Sequence, residues 1–215
     1  MKKIFLFILA IIFLLFTQGV NAKYEIIGPD GESYDPNIDA LRVTLVSDKG
    51  KILSTRSSSN TGEFTGHTFI ELSNISGKQL NVASYTLKSN ETITVGLFPK
   101  YNVCINYECY NKNSYYSNDC AKISCKLKEI HLDKLNQLLV KDYSYNALTF
   151  NCSHFATMIW NEISNLNINN LYLNILGLPD EVYKEILKFQ ISSIGYYYNT
   201  TYSYYYIENK ILIKV

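Results

Sequence analysis

The alternation of apolar and polar residues predicts several β-strands in the first half of the chain, beginning with residues 41–46. In residues 66–72 the period of two assigns side chains to two faces, His67, Phe69 and Glu71 on one and Thr68, Ile70 and Leu72 on the other. A turn at residues 74–77 leads to a predicted second strand near residues 80–87, and residues 91–98 supply a third. These strands predict an antiparallel meander that begins at His67.

Apolar residues at helical spacing predict three helices later in the chain. Residues 131–140 place four leucines on one face, and residues 180–190 follow Pro179 and begin with acidic residues. Between them, Asn151 is a favoured N-cap residue, and the apolar positions after it share one face with Cys152: Phe155, Ala156, Ile159 and Ile163. The pattern therefore predicts an α+β fold, with an antiparallel meander sheet packed on helices in a single domain of residues 23–215.

Tyrosine dominates residues 195–215, which also contain a turn at residues 208–210 and a strand-like end at residues 211–215. An edge hairpin is the simpler interpretation of this tail. The density of rings also suits an aromatic wall that binds sugar or peptide.

The N-terminus has the pattern of a secretory signal peptide, residues 1–22. Lys2 and Lys3 precede an apolar run at residues 4–16, and Val20 and Ala22 stand at the small-residue positions of a cleavage site. The run is shorter than the roughly 20 residues that span a bilayer, so a retained membrane anchor is the less favoured alternative. Removing the two lysines takes the formal net charge from +1 to −1, which gives the secreted, extracellular form no basic excess for nucleic acid.

Four of the five cysteines cluster in residues 102–127, which we expect to form a disulfide-linked hairpin insertion. Nested pairing of Cys104 with Cys125 and of Cys109 with Cys120 gives equal index sums, as an antiparallel hairpin requires. Two other connectivities stay open, and a four-thiolate zinc site is a further alternative. In each case Cys152 remains unassigned, and an unassigned cysteine in a secreted protein indicates either intermolecular pairing or a reactive thiol.

Cys152 at a helix start has the position of a nucleophile. The helix dipole and the unpaired N–H groups of the first turn favour thiolate over thiol. Burial as a small core residue is the alternative. His67 is the candidate base, because His131 begins a helix and His154 points to another side of the Cys152 helix. A structural strand histidine is again the alternative.

The order of a histidine strand, a meander, and Asn151-Cys152 at a helix start resembles the circularly permuted papain-like thiol hydrolases, which are related to the NlpC-type cell-wall peptidases. The resemblance covers roughly residues 64–165. It implies a permuted papain-like core, Cys152 as nucleophile and His67 as general base. It also implies a third polar residue, on the strand after His67, that orients the imidazole; Asn81 is the first candidate, with Glu71 and Ser84 as weaker ones.

The leading hypothesis is a secreted cysteine amidase or peptidase that acts on cell-wall peptide bonds without a cofactor or metal. The backbone N–H of Cys152, supported by Asn151 or Tyr145, would bind the oxyanion. Two alternatives are a non-catalytic secreted binding module that uses the tyrosine-rich tail, and a thiol acyltransferase or lipase similar to the lecithin:retinol acyltransferase family.

Overall fold

The computed structural model describes residues 24–27, 39–48, 66–107, 117–164, 166–172, 176–189, 194–196 and 204–214. The predicted signal peptide and Cys109 lie outside the described residues. No described helix is long and apolar enough to cross a membrane.

Thirteen strands occur in the described part of the chain. In chain order they are β1 (Tyr24–Ile27), β2 (Asp39–Asp48), β3 (Thr68–Asn74), β4 (Leu80–Val82), β5 (Tyr85–Leu87), β6 (Thr92–Phe98), β7 (Asn102–Ile105), β8 (Ser117–Lys128), β9 (Leu171–Tyr172), β10 (Leu176–Gly177), β11 (Ile194–Tyr196), β12 (Tyr205–Glu208) and β13 (Ile211–Lys214). Nine of them form one antiparallel sheet in the order β1-β8-β2-β3-β6-β7-β12-β13, with β11 also on β8. The predicted edge hairpin of the tail is β12–β13.

The sheet buries side chains on both faces, as the alternation in β3 predicts. Ile70 and Leu72 belong to the main apolar core together with the helices. Phe69, one position away, packs with Val46 and Cys120 in a second, smaller cluster on the other face. Successive strand residues point to opposite faces, so β3 contributes to both cores.

Three described α-helices cover the main core: α1 (Leu132–Leu139), α2 (Cys152–Ile163) and α3 (Pro179–Leu187). Helix α2 packs on β3 and β6, α3 packs on β8 and β2, and α1 packs against α2. Each helix begins within one residue of its predicted start, and α2 begins at Cys152 as expected. The fold is therefore a mixed α+β arrangement with a mostly antiparallel sheet.

The structure does not confirm the predicted cysteine hairpin. Strand β7, which carries Cys104, and strand β8, which carries Cys120 and Cys125, are separated in the sheet by β6, β3 and β2. At about 4.8 Å per strand, Cys104 and Cys125 are roughly 19 Å apart, far beyond the roughly 7 Å limit for a disulfide. No disulfide joins two of the described cysteines, and no three side chains of metal-ligand type cluster among the described residues.

Residues 80–87 form a small separate hairpin, β4–β5, where one strand of the meander is expected. The two residues between the strands, Ala83 and Ser84, have φ angles of 49° and 65°, as in a tight two-residue turn. The strand that pairs with β3 is instead β6, so the meander consists of β3, β6 and β7.

Candidate active site

Cys152 is the first residue of α2, and Asn151 caps the helix as predicted. The Asn151 side-chain oxygen accepts the backbone N–H groups of Ser153 at 3.0 Å and His154 at 3.3 Å. The Cys152 side chain is only 8% exposed, on the helix face that packs into the main core. The sequence therefore places this thiol at a helix N-terminus and against the sheet.

His67 lies directly before β3, where the chain leaves Gly66 at a φ of 142°. The backbone N–H of Asp48 at the end of β2 donates to the His67 carbonyl at 2.9 Å, which fixes the His67 backbone just before the start of β3. The ring packs against Phe98 of β6 at 4.7 Å and Phe69 at 5.7 Å between centroids. Aromatic contacts thus hold the imidazole, which is 8% exposed as a residue.

The structure brings Cys152 and His67 together. Burial raises the pKa of the Cys152 thiol, whereas the charge of His67 and a hydrogen bond from its ring lower that pKa. Hydrogen bonds from the Thr68 backbone and the Ser153 hydroxyl also lower it. Together these interactions outweigh burial, and the net pKa of Cys152 lies below its ordinary value.

Asn151 has no hydrogen left to offer to a substrate. Its amide nitrogen donates to the carbonyls of Ala147 at 3.0 Å and Gly177 at 2.7 Å, while its oxygen caps the helix. Asn151 therefore joins the loop before α2 and strand β10 to the helix start, and its role is structural support.

Tyr145 lies within electrostatic range of the thiol. Burial raises the pKa of Tyr145, and the negative charge of Cys152 raises it further. The Tyr145 backbone N–H donates to the Asn102 side-chain oxygen at 3.3 Å, which ties the loop to the start of β7. A neutral tyrosine hydroxyl near the sulfur is a suitable donor for an oxyanion.

The candidates for the residue that orients the His67 imidazole lie on three different elements of the fold. Asn81 is exposed on β4, and its described contact is a hydrogen bond from Asn136 of α1 to its carbonyl at 3.2 Å. Ser84 is exposed in the β4–β5 turn. Glu71 lies further along β3, where burial raises its carboxyl pKa and one carboxylate oxygen has no hydrogen-bond partner among the described residues. No described contact supports Asn81 as the orienting residue, which stays a prediction.

His154 contacts the helix cap, in agreement with its exclusion as the base. Its Nδ1 lies 3.4 Å from the Asn151 backbone nitrogen and 3.1 Å from the Asn151 side-chain oxygen. The tautomer with its hydrogen on Nε2 accepts the backbone N–H and completes the capping box, whereas a hydrogen on Nδ1 would donate to the side-chain oxygen instead. Its ring lies against Gly177, where an added Cβ would overlap it, and burial lowers its pKa.

Three further hydroxyls, which the sequence analysis did not single out, lie at the site. Thr68 contacts Ser153 at 3.3 Å and Ser47 of β2 at 2.8 Å. Thr68 and Ser153 are next to the two predicted catalytic residues, which is a usable signal. Ser47 has no such signal, because only the pairing of β2 with β3 brings it there.

A cleft of about 450 Å³ lies beside the thiol site without including Cys152 or His67. Its lining includes two lysines, two carboxylates and three tyrosines: Lys100, Lys141, Asp142, Glu208, Tyr101, Tyr143 and Tyr206. Asn102 of the lining accepts the Tyr145 N–H, and Tyr143 packs edge-on against Phe155 of α2 at 5.2 Å. Two residues of the lining therefore contact the loop and the helix that carry Tyr145 and Cys152.

Comparison with known proteins finds no matching family model, no matching curated protein and no matching solved structure. The resemblance to permuted papain-like hydrolases thus stays a prediction from the sequence.

Proposed function

We propose that this protein is a secreted cysteine hydrolase that cleaves amide or peptide bonds, on a circularly permuted papain-like core. The observation that carries the proposal is the lowered pKa of Cys152, a buried thiol whose charge partner is His67. Burial alone would raise that pKa. A partner that reverses the effect of burial is typical of an activated nucleophile.

The reaction runs through a thioester. The Cys152 sulfur attacks the carbonyl carbon, and the carbon–nitrogen bond breaks as His67 gives its proton to the leaving amine. His67 then takes a proton from water, whose oxygen attacks the thioester carbon. The carbon–sulfur bond breaks, the carboxylic acid leaves, and the thiolate–imidazolium pair is restored.

Two donors are available for the oxyanion of each tetrahedral intermediate. The backbone N–H of Cys152 belongs to the first turn of α2, where N–H groups have no partner within the helix. The Tyr145 hydroxyl is the second donor, because it lies in electrostatic range of the sulfur. Asn151 is excluded from this role by its two carbonyl acceptors.

The proposed substrate is a cell-wall peptide bond outside the cell. The location follows from the predicted signal peptide, and the substrate follows from the resemblance to NlpC-type peptidases. The formal charge of the secreted form gives no reason to expect nucleic acid as a partner.

The test is the pH dependence of Cys152 alkylation in the mature protein and in His67→Ala, read peptide by peptide by mass spectrometry. We expect an apparent pKa below the roughly 8.5 of a free thiol in the parent, and above it in the variant, where burial acts without His67. Burial raises the pKa of Cys125 to about 12, so that thiol serves as an internal unreactive reference.

His131→Gln is the matched control, because His131 follows β8 at the opposite end of the sheet from Cys152. It should leave the profile unchanged. An inert Cys152, or identical profiles in parent and His67→Ala, would refute the hydrolase proposal.

The second candidate is a non-catalytic binding module, favoured by the tyrosine-walled cleft. Tyr206 of the tail lines this cleft together with Tyr101, at 5.1 Å between ring centroids. In this alternative Cys152 is a packing residue whose thiol is alkylated slowly, with an ordinary pKa. The pH dependence of its alkylation therefore distinguishes the binding module from the hydrolase.

A further inference from the structure

Three buried hydroxyls form a chain from the thiol to the start of α3. Ser153 lies 3.3 Å from Thr68, Thr68 lies 2.8 Å from Ser47, and Ser47 donates to the Pro179 carbonyl at 2.8 Å, all measured between oxygens. The three hydroxyl-bearing residues have no solvent exposure. Water therefore does not compete for the two hydrogen bonds between hydroxyls, and the groups present fix the direction of each one.

The direction follows from counting hydrogens. A carbonyl only accepts, so the one hydrogen of Ser47 is committed to Pro179. The Ser47 oxygen must then accept the hydrogen of Thr68. The Thr68 hydroxyl then has no hydrogen left to donate, so its oxygen can only accept the hydrogen of Ser153.

Ser153 thus has one hydrogen and two acceptors. One is the Thr68 oxygen, and the other is the sulfur of Cys152. In the neutral pair the S–H donates to the His67 ring, and the uncharged sulfur is only a weak acceptor, so Ser153 stays bonded to Thr68. A thiolate is a charged and much stronger acceptor, so Ser153 turns its hydroxyl to the sulfur and gives up the hydrogen bond to Thr68, which at 3.3 Å is the longest in the chain.

We infer that Ser153 is a positioning residue that turns its hydroxyl between Thr68 and the Cys152 sulfur, and that Ser47 and Pro179 set the direction of the chain. This inference rests on the proposed role of Cys152 as nucleophile. Its distinctive consequence is that Ser153 and Ser47 act on the thiolate with opposite signs.

Other ionisable groups near the thiol are few. His67 and Tyr145 face it from β3 and from the loop before α2, and His154 on α2 is engaged with the cap. The residues of β2 and β6 in the main core are apolar, and Tyr183 of α3 is buried there. Asp48, at the end of β2, meets the His67 carbonyl through its backbone N–H, and its carboxylate accepts a hydrogen bond from Cys120 at 2.6 Å. Lysines of α1 and α3 are held in ion pairs: Lys134 with Glu162, and Lys184 with Asp180 and Glu181.

The experiment compares Cys152 alkylation profiles in Ser153→Ala and Ser47→Ala. Ser153→Ala removes a donor to the thiolate and should raise the apparent pKa of Cys152 by about one unit. Ser47→Ala frees the Thr68 hydrogen to turn to the Ser153 oxygen, which commits the Ser153 hydrogen to the sulfur. It should lower the apparent pKa by a few tenths of a unit to about one unit.

Further variants keep the test decisive. Thr68→Val removes the competing acceptor and retains the backbone N–H, so it should lower the apparent pKa even where Ser47→Ala fails to fold. Thr68→Ser keeps the hydroxyl and should restore the parent profile. Thr44→Val is the matched control, because it breaks a hydroxyl pair with Ser124 at 2.9 Å elsewhere on β2.

The outcomes separate this inference from the proposed function. Suppose that His67→Ala shifts the apparent pKa of Cys152, whereas Ser47→Ala and Thr68→Val leave it unchanged or raise it as Ser153→Ala does. The hydroxyl chain is then refuted, and the hydrolase proposal stands. A shift in Thr44→Val would also refute the chain. An ordinary thiol profile that His67→Ala leaves unchanged refutes both.

Discussion

At the scale of single residues, the start of α2 depends on the hydrogen bonds that Asn151 and His154 exchange. The His154 ring must be neutral at Nδ1 to accept the Asn151 N–H, and burial lowers the pKa of His154 in agreement with that state. Gly177 leaves room for the ring, since any side chain there would overlap it. The helix that carries the thiol is therefore capped by a titratable group.

This cap predicts a loss of stability in mild acid. The pKa of His154 in the folded state lies below the roughly 6.5 of an unfolded histidine, so the unfolded chain takes up the proton first as the pH falls. Stability is then complete above about pH 6.5 and falls below it, by at most about 1.4 kcal/mol per pH unit and by less for a partly exposed ring.

The measurement is the urea midpoint between about pH 5 and pH 8 for the parent and for His154→Gln. Glutamine at this position retains a capping-box acceptor and does not titrate. His67 titrates in both proteins, so its contribution cancels in the difference. Equal pH dependence in the two proteins would show that His154 protonation does not limit stability.

The residues of the site differ in how far the sequence reveals them. Cys152 and His67 are recognisable because a cysteine follows an N-cap residue and a histidine begins an alternating strand. The sequence also suggests Asn151, but its two carbonyl acceptors depend on the fold of the loop and of β10. Ser47 is invisible in the sequence, because nothing local indicates that β2 lies beside β3.

At the scale of elements, helices are predicted better than strand partners. The start of α2 is encoded locally by Asn151 and by the apolar face behind it. The cysteine hairpin is not confirmed, and equal index sums are necessary for a hairpin but not sufficient for one. Strand β7 pairs with β6 and β12, and β8 pairs with β2 and β1, so the strands of the supposed hairpin have better partners.

The β4–β5 hairpin was missed because its turn lacks the usual residues. Two-residue turns with positive φ favour asparagine followed by glycine, and here the pair is Ala83 and Ser84. A side chain in this left-handed region costs roughly 1 kcal/mol that glycine avoids. The turn is therefore imposed by the rest of the fold, including the hydrogen bond from the Ala83 N–H to Asn136 of α1 at 2.9 Å.

Ser84→Gly should accordingly raise the free energy of unfolding by up to roughly 0.5 kcal/mol, after the greater freedom of glycine in the unfolded chain is subtracted. Asn90→Gly is the matched control: Asn90 has a similar φ of 61°, but asparagine tolerates that conformation, so the gain should be smaller. Urea denaturation measures both. A loss of stability in Ser84→Gly would mean that the serine makes a contact worth more than the strain.

At the scale of the whole molecule, the α+β class is predictable and the sheet order is not. The class follows from alternating residues early in the chain and helical spacing later. The order depends on pairing between distant segments, such as β2 with β8, and no local pattern specifies it. The sheet also buries polar groups on its second face, including Lys126, whose Nζ lies 3.9 Å from Asp39 of β2.

The hydroxyl chain has a consequence for the time course of folding. Thr68 and Ser153 are 85 positions apart in sequence, and Ser47 and Pro179 are 132 apart. Contacts of such long range close large loops and form slowly, whereas helix α2 needs only its own residues. During refolding, we expect helical circular dichroism to recover before Cys152 gains its fast alkylation at about neutral pH. Recovery of both in one early phase would contradict this order. A newly made chain would therefore present an ordinary thiol until its sheet is complete, which delays any chemistry at Cys152 until the fold has formed.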